Sequence, residues 1–385
     1  MTGLREGPGR LVGIDLARAL ALLGMMLAHL GPPWTGYGTP PVSEWLASGR
    51  AAPLFAVLAG LSIGLMTRLD PDGVGTRSAV VRRAVALLVI GLGLAALPDL
   101  RILVILPCYA VLIAATVAVR GLSTRALLVL AGAWCVLSPA VLYAVRQVVD
   151  EPVSAVIQPS FGGGLAELPV SLLLWGGYPA VVWFGYVLVG LALARLDLRS
   201  AVVVRRLVVG GAVTTVAALW IAASALFLGA FRDATGEPRL EQLFLSRSAY
   251  DPLDPTWFWA AGQHTSTPLN VIGSAGSAVL VIGLCLWLCR SAVAARVVSP
   301  LRAAGSMTLT LYVMHVVLTW ANRELDAAFT GGYYSEWWVQ VLLLVVLAFL
   351  WRLIAARGPL EALVRWVSTA RRWPVRPAPA ETSRT

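Results

Sequence analysis

An ionisable side chain at the centre of a membrane helix costs about 3 kcal/mol. Beyond its first residue, the segment RLVGIDLARALALLGMMLAHLG at 10–31 carries three such groups, Asp15, Arg18 and His29. Asp15 and Arg18 stand three residues apart on one helical face, where they can pair. His29 follows Arg18 by eleven residues. That is about 1100° of helix, or three turns plus ~20°, so both share a face about 16 Å apart. Two readings stay open. Asp15 could neutralise Arg18 inside a bundle. Alternatively, the face lines a passage with an anion-binding cation at one end and a proton acceptor at the other.

Other candidates are spread along the chain. Arg50 opens EWLASGRAAPLFAVLAGLSIGL at 44–65, as an interface residue reaching headgroups or as a second positive group near His29. Gly60 and Gly64 in the same segment form a small-residue face for close helix packing. His315, in LYVMHVVL, reads as a buried histidine bonded to a neighbouring helix. His264, in AGQHTSTPLN, could bind an acceptor or share the role of base. Asp99 either orients a histidine or caps the following helix. Tyr109 follows in that helix.

These residues need a scaffold, and the composition restricts it. Of 385 residues, 58% are hydrophobic and 13% charged, with mean hydropathy +0.78. A soluble domain carries about 25% charged residues, so the expected class is an all-α, polytopic transmembrane bundle. Apolar runs predict about ten crossings, at 11–31, 46–67, 80–98, 101–119, 125–146, 168–194, 202–230, 268–289, 303–322 and 337–356.

All 30 basic residues are arginine. On the side holding the N-terminus this alternation gathers 22 of them, against seven on the other. The bias predicts a multi-pass protein of the cytoplasmic membrane with both termini in the cytosol. The +10 charge is thereby a matter of topology, and nucleic acid is not an expected partner. The first crossing is not read as a signal peptide, since it holds Asp15 and Arg18 and lacks a clear cleavage site.

Cys108, Cys135, Cys285 and Cys289 fall in apolar runs and read as small buried residues, without metal-ligand spacing. Two long external loops, 32–45 and 231–267, could be functional or plain connections. The expected organisation is one integral-membrane domain over 1–373, with an amphipathic inner-leaflet helix near 359–373 and a disordered cytoplasmic tail over 374–385.

Arg18 and His29 resemble the first-helix signature of bacterial membrane acyltransferases that O-acylate surface glycans. APLFAVLAGLSIG resembles that group's second helix, and Arg82-Arg83 its basic entry to the third. Four further stretches are similar to heparan-alpha-glucosaminide N-acetyltransferase-like proteins and their YeiB-like bacterial relatives: GIDLARALALLGMMLAH, PDLRILVILPCYAVL, GSMTLTLYVMHVVL and RGPLEALVRW. The heparan-type enzymes place a histidine and an acid in the loop after the first helix; here that loop has one acid, Glu44, and no histidine.

The resemblance implies transfer of an acyl group, acetyl by preference, from cytosolic acyl-CoA to a hydroxyl or amine of an extracytoplasmic glycan or lipid-linked acceptor. It implies His29 as base or acyl carrier, with Arg18 as partner. The candidate catalytic set is His29, Arg18, Asp15, Arg50 and His264. The candidate donor contacts are Arg82, Arg83, Arg18, Asp99, Tyr109 and His315. Arginines suit the phosphates of acyl-CoA, and Arg50, Tyr37 or a backbone N–H suits the oxyanion.

Acyl-CoA is expected as a co-substrate, with no bound cofactor and no metal. Membrane lipids and the acceptor are the other partners, and a homodimer stays open. The alternative is a transporter or flippase for a small anionic or lipid-linked solute, since buried Asp15, Arg18 and His315 would suit a proton-coupled carrier. A non-catalytic membrane scaffold is the third reading.

Overall fold

The computed structural model describes residues 11–32, 41–69, 72, 76–100, 102–149, 167–229, 258–324 and 333–369. Tyr37, most of both long loops and the tail from 374 lie outside the described residues, which form helices and no strands. In chain order these are α1 (Val12–Leu30), α2 (Val42–Leu46), α3 (Ala51–Leu69), α4 (Arg77–Ala95), α5 (Leu106–Val119), α6 (Thr124–Arg146), α7 (Leu168–Leu173) and α8 (Ala180–Leu193). There follow α9 (Ala201–Phe227), α10 (Pro268–Leu288), α11 (Ala292–Val297), α12 (Ser299–Gly305), α13 (Thr308–Glu324), α14 (Tyr333–Ile354) and α15 (Pro359–Thr369).

Each of the ten expected segments overlaps helix in part. Seven of the described spans are long and apolar enough to cross a membrane, or eight if the bent pair α12 and α13 counts as one. Two further apolar helices, α5 and α8, are shorter. The segment 168–194 is not continuous: α7 ends at Leu173, and a turn through Gly176, at φ +74°, precedes α8. Apolar side chains stay exposed at helical spacing on the outer faces. Examples are Val81, Val85 and Val89 on α4, and Leu342, Val346 and Leu350 on α14. In water such stripes would be an aggregation hazard; in a bilayer they are the lipid-facing surface.

Small residues set the closest approach. Gly60 on α3 abuts the backbone of Val187, and Gly190 on α8 abuts the backbone of Val57, so the two helices interlock. Gly64 meets Ala194 one turn on. Arginines gather at that end of the bundle, where they hold helix-end carbonyls. Arg68 donates to Ala194 O, Arg195 to Arg120 O, and Arg82 to Ser368 O at the end of α15.

One helix pair, α12 and α13, is bent by 83°. The bend frees the first amides of α13, which would be costly in an apolar layer. Glu361 of α15 takes them: Oε1 accepts from the amides of Leu309 and Thr310 at 2.7 and 3.2 Å, and Oε2 from Thr310 Oγ1 at 2.6 Å. Thr310 Oγ1 in turn accepts from the amide of Leu360 at 3.1 Å.

The turn before α10 is tied the same way. Thr267 caps the helix by accepting from the amide of Asn270, and Thr265 Oγ1 donates to Gly262 O. These bonds hold His264 and Ser266 at φ +56°, a region few non-glycine residues occupy. His264 Nδ1 lies 3.0 Å from Gly177 O, and because a carbonyl only accepts, Nδ1 carries the hydrogen. Burial holds this imidazole below the usual histidine pKa, and the Gly177 carbonyl pulls the other way.

Two outcomes are expected. Gly60→Ala drives a methyl into the Val187 backbone and costs about 1–3 kcal/mol, read as a lower Tm in detergent. Gly93→Ala, whose methyl meets nothing within 4 Å, leaves Tm unchanged or slightly raised; equal behaviour of the two would refute the interlocked packing. The second concerns pH. The folded pKa of His264 lies below that of the unfolded chain, so the unfolded state binds more protons and stability falls as pH drops below about 6.5. Between about pH 8 and pH 5, His264→Gln should lose less Tm than the native protein, and an identical loss would remove His264 as a contributor.

Candidate active site

A cavity of about 470 Å³ opens between α1, α3, α4, α5, α13 and α15. Its walls are mostly apolar, with Met25, Phe55, Leu87, Ile105 and Leu309 among them. Its polar groups divide into two ends. At one, Arg18 faces Ser62, and Arg83, Arg365 and Glu361 also contribute. At the other stand Tyr109 and Tyr312. Tyr109 donates to Ala52 O at 2.9 Å, ten residues before Ser62 on α3, so the ends are about 15 Å apart.

The Asp15–Arg18 pair forms, with Nη1 3.3 Å from Asp15 Oδ1, and Asp15 is buried. Arg18 Nη2 also donates to Ser62 Oγ at 2.6 Å. The guanidinium is thus held from two sides while it faces the cavity. Among the described residues, three guanidiniums and one carboxylate line this end, and Glu361 already accepts from three donors on α13. The balance favours an anion.

Arg18 lines the cavity, but His29 does not. On the α1 face the lining reaches Met25, one turn short of His29. His29 is instead engaged with α13, its Nδ1 3.0 Å from Nε2 of His315. The two ring planes lie within 3° of parallel, with centroids 5.3 Å apart. His315 is fully buried, and its Nδ1 lies 2.8 Å from Oε1 of Gln340 on α14. It therefore sits behind His29 and is not among the residues that line the cavity.

The remaining candidates divide. Arg83 and Tyr109 line the cavity. Arg82 does not: its Nε and Nη2 both donate to Ser368 O, at 3.2 and 2.7 Å, which makes it a strut between α4 and α15. Asp99 is exposed at φ +51°, and α5 begins only at Leu106 with Ile105 as its N-cap, so Asp99 does not cap it. Arg50 donates to Trp45 O at 2.8 Å and lines a separate small polar pocket with Glu44, Gln263 and Asn270. His264 packs on Tyr178, outside the cavity lining.

Sequence reasoning missed Ser62, Tyr312, Gln340, Glu361 and Arg365 as site residues. Gln340 had a signal, as a polar residue inside the apolar run at 337–356. Glu361 and Arg365 belong to RGPLEALVRW, but nothing local links that stretch to α1.

The model for the family described as heparan-alpha-glucosaminide N-acetyltransferase, catalytic, matches residues 10–227. A second family, described as a protein of unknown function (DUF418), matches residues 252–371. The cavity draws on both, with Arg18, Ser62, Arg83 and Tyr109 from the first and Tyr312, Glu361 and Arg365 from the second. No curated protein matches the chain. With more than half its length under the catalytic match, this multi-pass helical chain belongs to the heparan-alpha-glucosaminide N-acetyltransferase-like family.

Proposed function

We propose that the protein moves an acyl group, of the acetyl class, from acyl-CoA to a hydroxyl or amine of a glycan or lipid-linked acceptor across the cytoplasmic membrane. One observation carries this reading: the cavity has a cation-rich end at Arg18, Arg83 and Arg365 and runs along the α1 face to within one turn of a histidine. The arginine-rich end is taken as cytosolic, with both termini there.

The donor is a polyanion with a long flexible arm. Its phosphates suit the guanidiniums, and its arm suits an apolar channel about 15 Å long. Met25 lies between that channel and His29, and an unbranched thioether adapts easily to a guest. At the far end, neutral His29 takes the proton of the acceptor O–H or N–H. The acceptor atom bonds to the thioester carbonyl carbon, the C–S bond breaks, and the CoA thiolate leaves and takes up a proton. A broken helix such as α12–α13 also occurs in carriers, which favours a transporter of small anions as the second reading.

Purified protein with acetyl-CoA and an amino-sugar acceptor should release CoA thiol. His29→Ala should lower kcat by about 10²-fold or more, with KM for the donor little changed. Arg83→Ala should instead raise that KM by about tenfold, the loss of one charge-assisted contact. Undiminished transfer by His29→Ala would defeat the mechanism. Uptake of an anionic solute into proteoliposomes, with no thiol released, would favour the carrier.

A further inference from the structure

The hydrogen bonds behind His29 have directions, and each direction fixes the next. Glu336, in the first turn of α14, presents a carboxylate, which only accepts. Gln340 Nε2 lies 3.1 Å from Glu336 Oε1 and 3.3 Å from Thr319 Oγ1. The amide nitrogen therefore faces Glu336 and Thr319, and the amide oxygen faces His315 Nδ1 at 2.8 Å. That oxygen only accepts, so His315 Nδ1 carries the hydrogen. A neutral imidazole has one N–H, which leaves the lone pair of His315 on Nε2. His29 Nδ1, 3.0 Å away, must then be the donor. With its hydrogen on Nδ1, neutral His29 carries its basic lone pair on Nε2.

Burial makes the order costly to reverse. His315, Thr319 and Gln340 are 0%, 1% and 6% exposed. Turning the amide over would set its oxygen against the Glu336 carboxylate, acceptor against acceptor, with little water to repair the mismatch. The chain also crosses helices, from α14 through α13 to α1, so packing fixes the tautomer.

We propose that His315 and Gln340 are positioning residues that lock His29 in the Nδ1–H tautomer and make Nε2 the nitrogen that takes the acceptor's proton. The tautomer stands on geometry alone; its use in catalysis rests on the acyl-transfer reading. When Nε2 takes that proton, the Nδ1–H bond to His315 becomes charge-assisted and strengthens, so the chain favours the state formed during transfer.

The test is ¹⁵N NMR of the full-length protein labelled in histidine. The chain has three histidines, so His264→Gln and His315→Gln assign the spectrum. The native protein should show His29 protonated at Nδ1 and unprotonated at Nε2. Gln340→Leu should abolish that preference and lower kcat by about 10²-fold, with KM for acetyl-CoA unchanged. The double variant Gln340→Glu with Glu336→Gln, which keeps an acceptor toward His315 Nδ1 and a donor–acceptor pair between positions 336 and 340, should restore both.

A native His29 protonated at Nε2 overturns the proposal, and so does a Gln340→Leu protein with native tautomer and kcat. The native spectrum decides the assignment even if the apolar variant fails to fold. If the tautomer is as expected but native protein releases no CoA thiol, the assignment stands and the acyl-transfer reading is the one that fails.

Discussion

A backbone amide left without a partner in an apolar layer costs several kcal/mol, and the bend between α12 and α13 exposes several. The carboxylate of Glu361 answers for them by accepting from Leu309, Thr310 and the Thr310 hydroxyl. This bond set ties α15 to the start of α13, and Arg82 ties the far end of α15 to α4 through Ser368 O. Together these contacts place α15 across one end of the cavity, where Glu361, Val364 and Arg365 become part of its wall. The bend itself lies against α1: Gly305 abuts the carbonyl of Asp15, an approach that a side chain would prevent.

Helix α1 carries unlike chemistries at two depths. Arg18 is held by Asp15 and Ser62, so its charge is compensated while its guanidinium still faces the opening. His29 sits about three turns further along α1 and is held from behind by His315, with Gln340 linking His315 to the Glu336 carboxylate. The guanidiniums thus stay near the end where arginines also hold helix carbonyls. The neutral hydrogen-bonding groups, whose burial costs less once they are paired, occupy the other end.

Much of this was legible in the chain. Membrane class follows from 58% hydrophobic and 13% charged residues. The Asp15–Arg18 pair follows from a spacing of three, and the packing face at Gly60 and Gly64 from a spacing of four. These are local consequences of the helical period. The same period put Arg18 and His29 on one face, but it did not say what faced each. The cavity reaches Arg18 and stops at Met25, while His29 turns to α13. Arg82 and Arg83 are adjacent and alike in type, yet one is a strut and the other lines the cavity, because successive helical residues point about 100° apart.

By itself, the sequence determined the class of molecule, the helical segments and the residues too costly to bury without a reason. Tertiary structure alone decided their company. Gln340, His315 and His29 lie 25 and 286 residues apart, and Glu361 meets Leu309 across 52. Hydropathy and helical period act over a few turns and carry no information across such distances. Which polar groups meet is decided when the helices pack and each buried donor must find an acceptor.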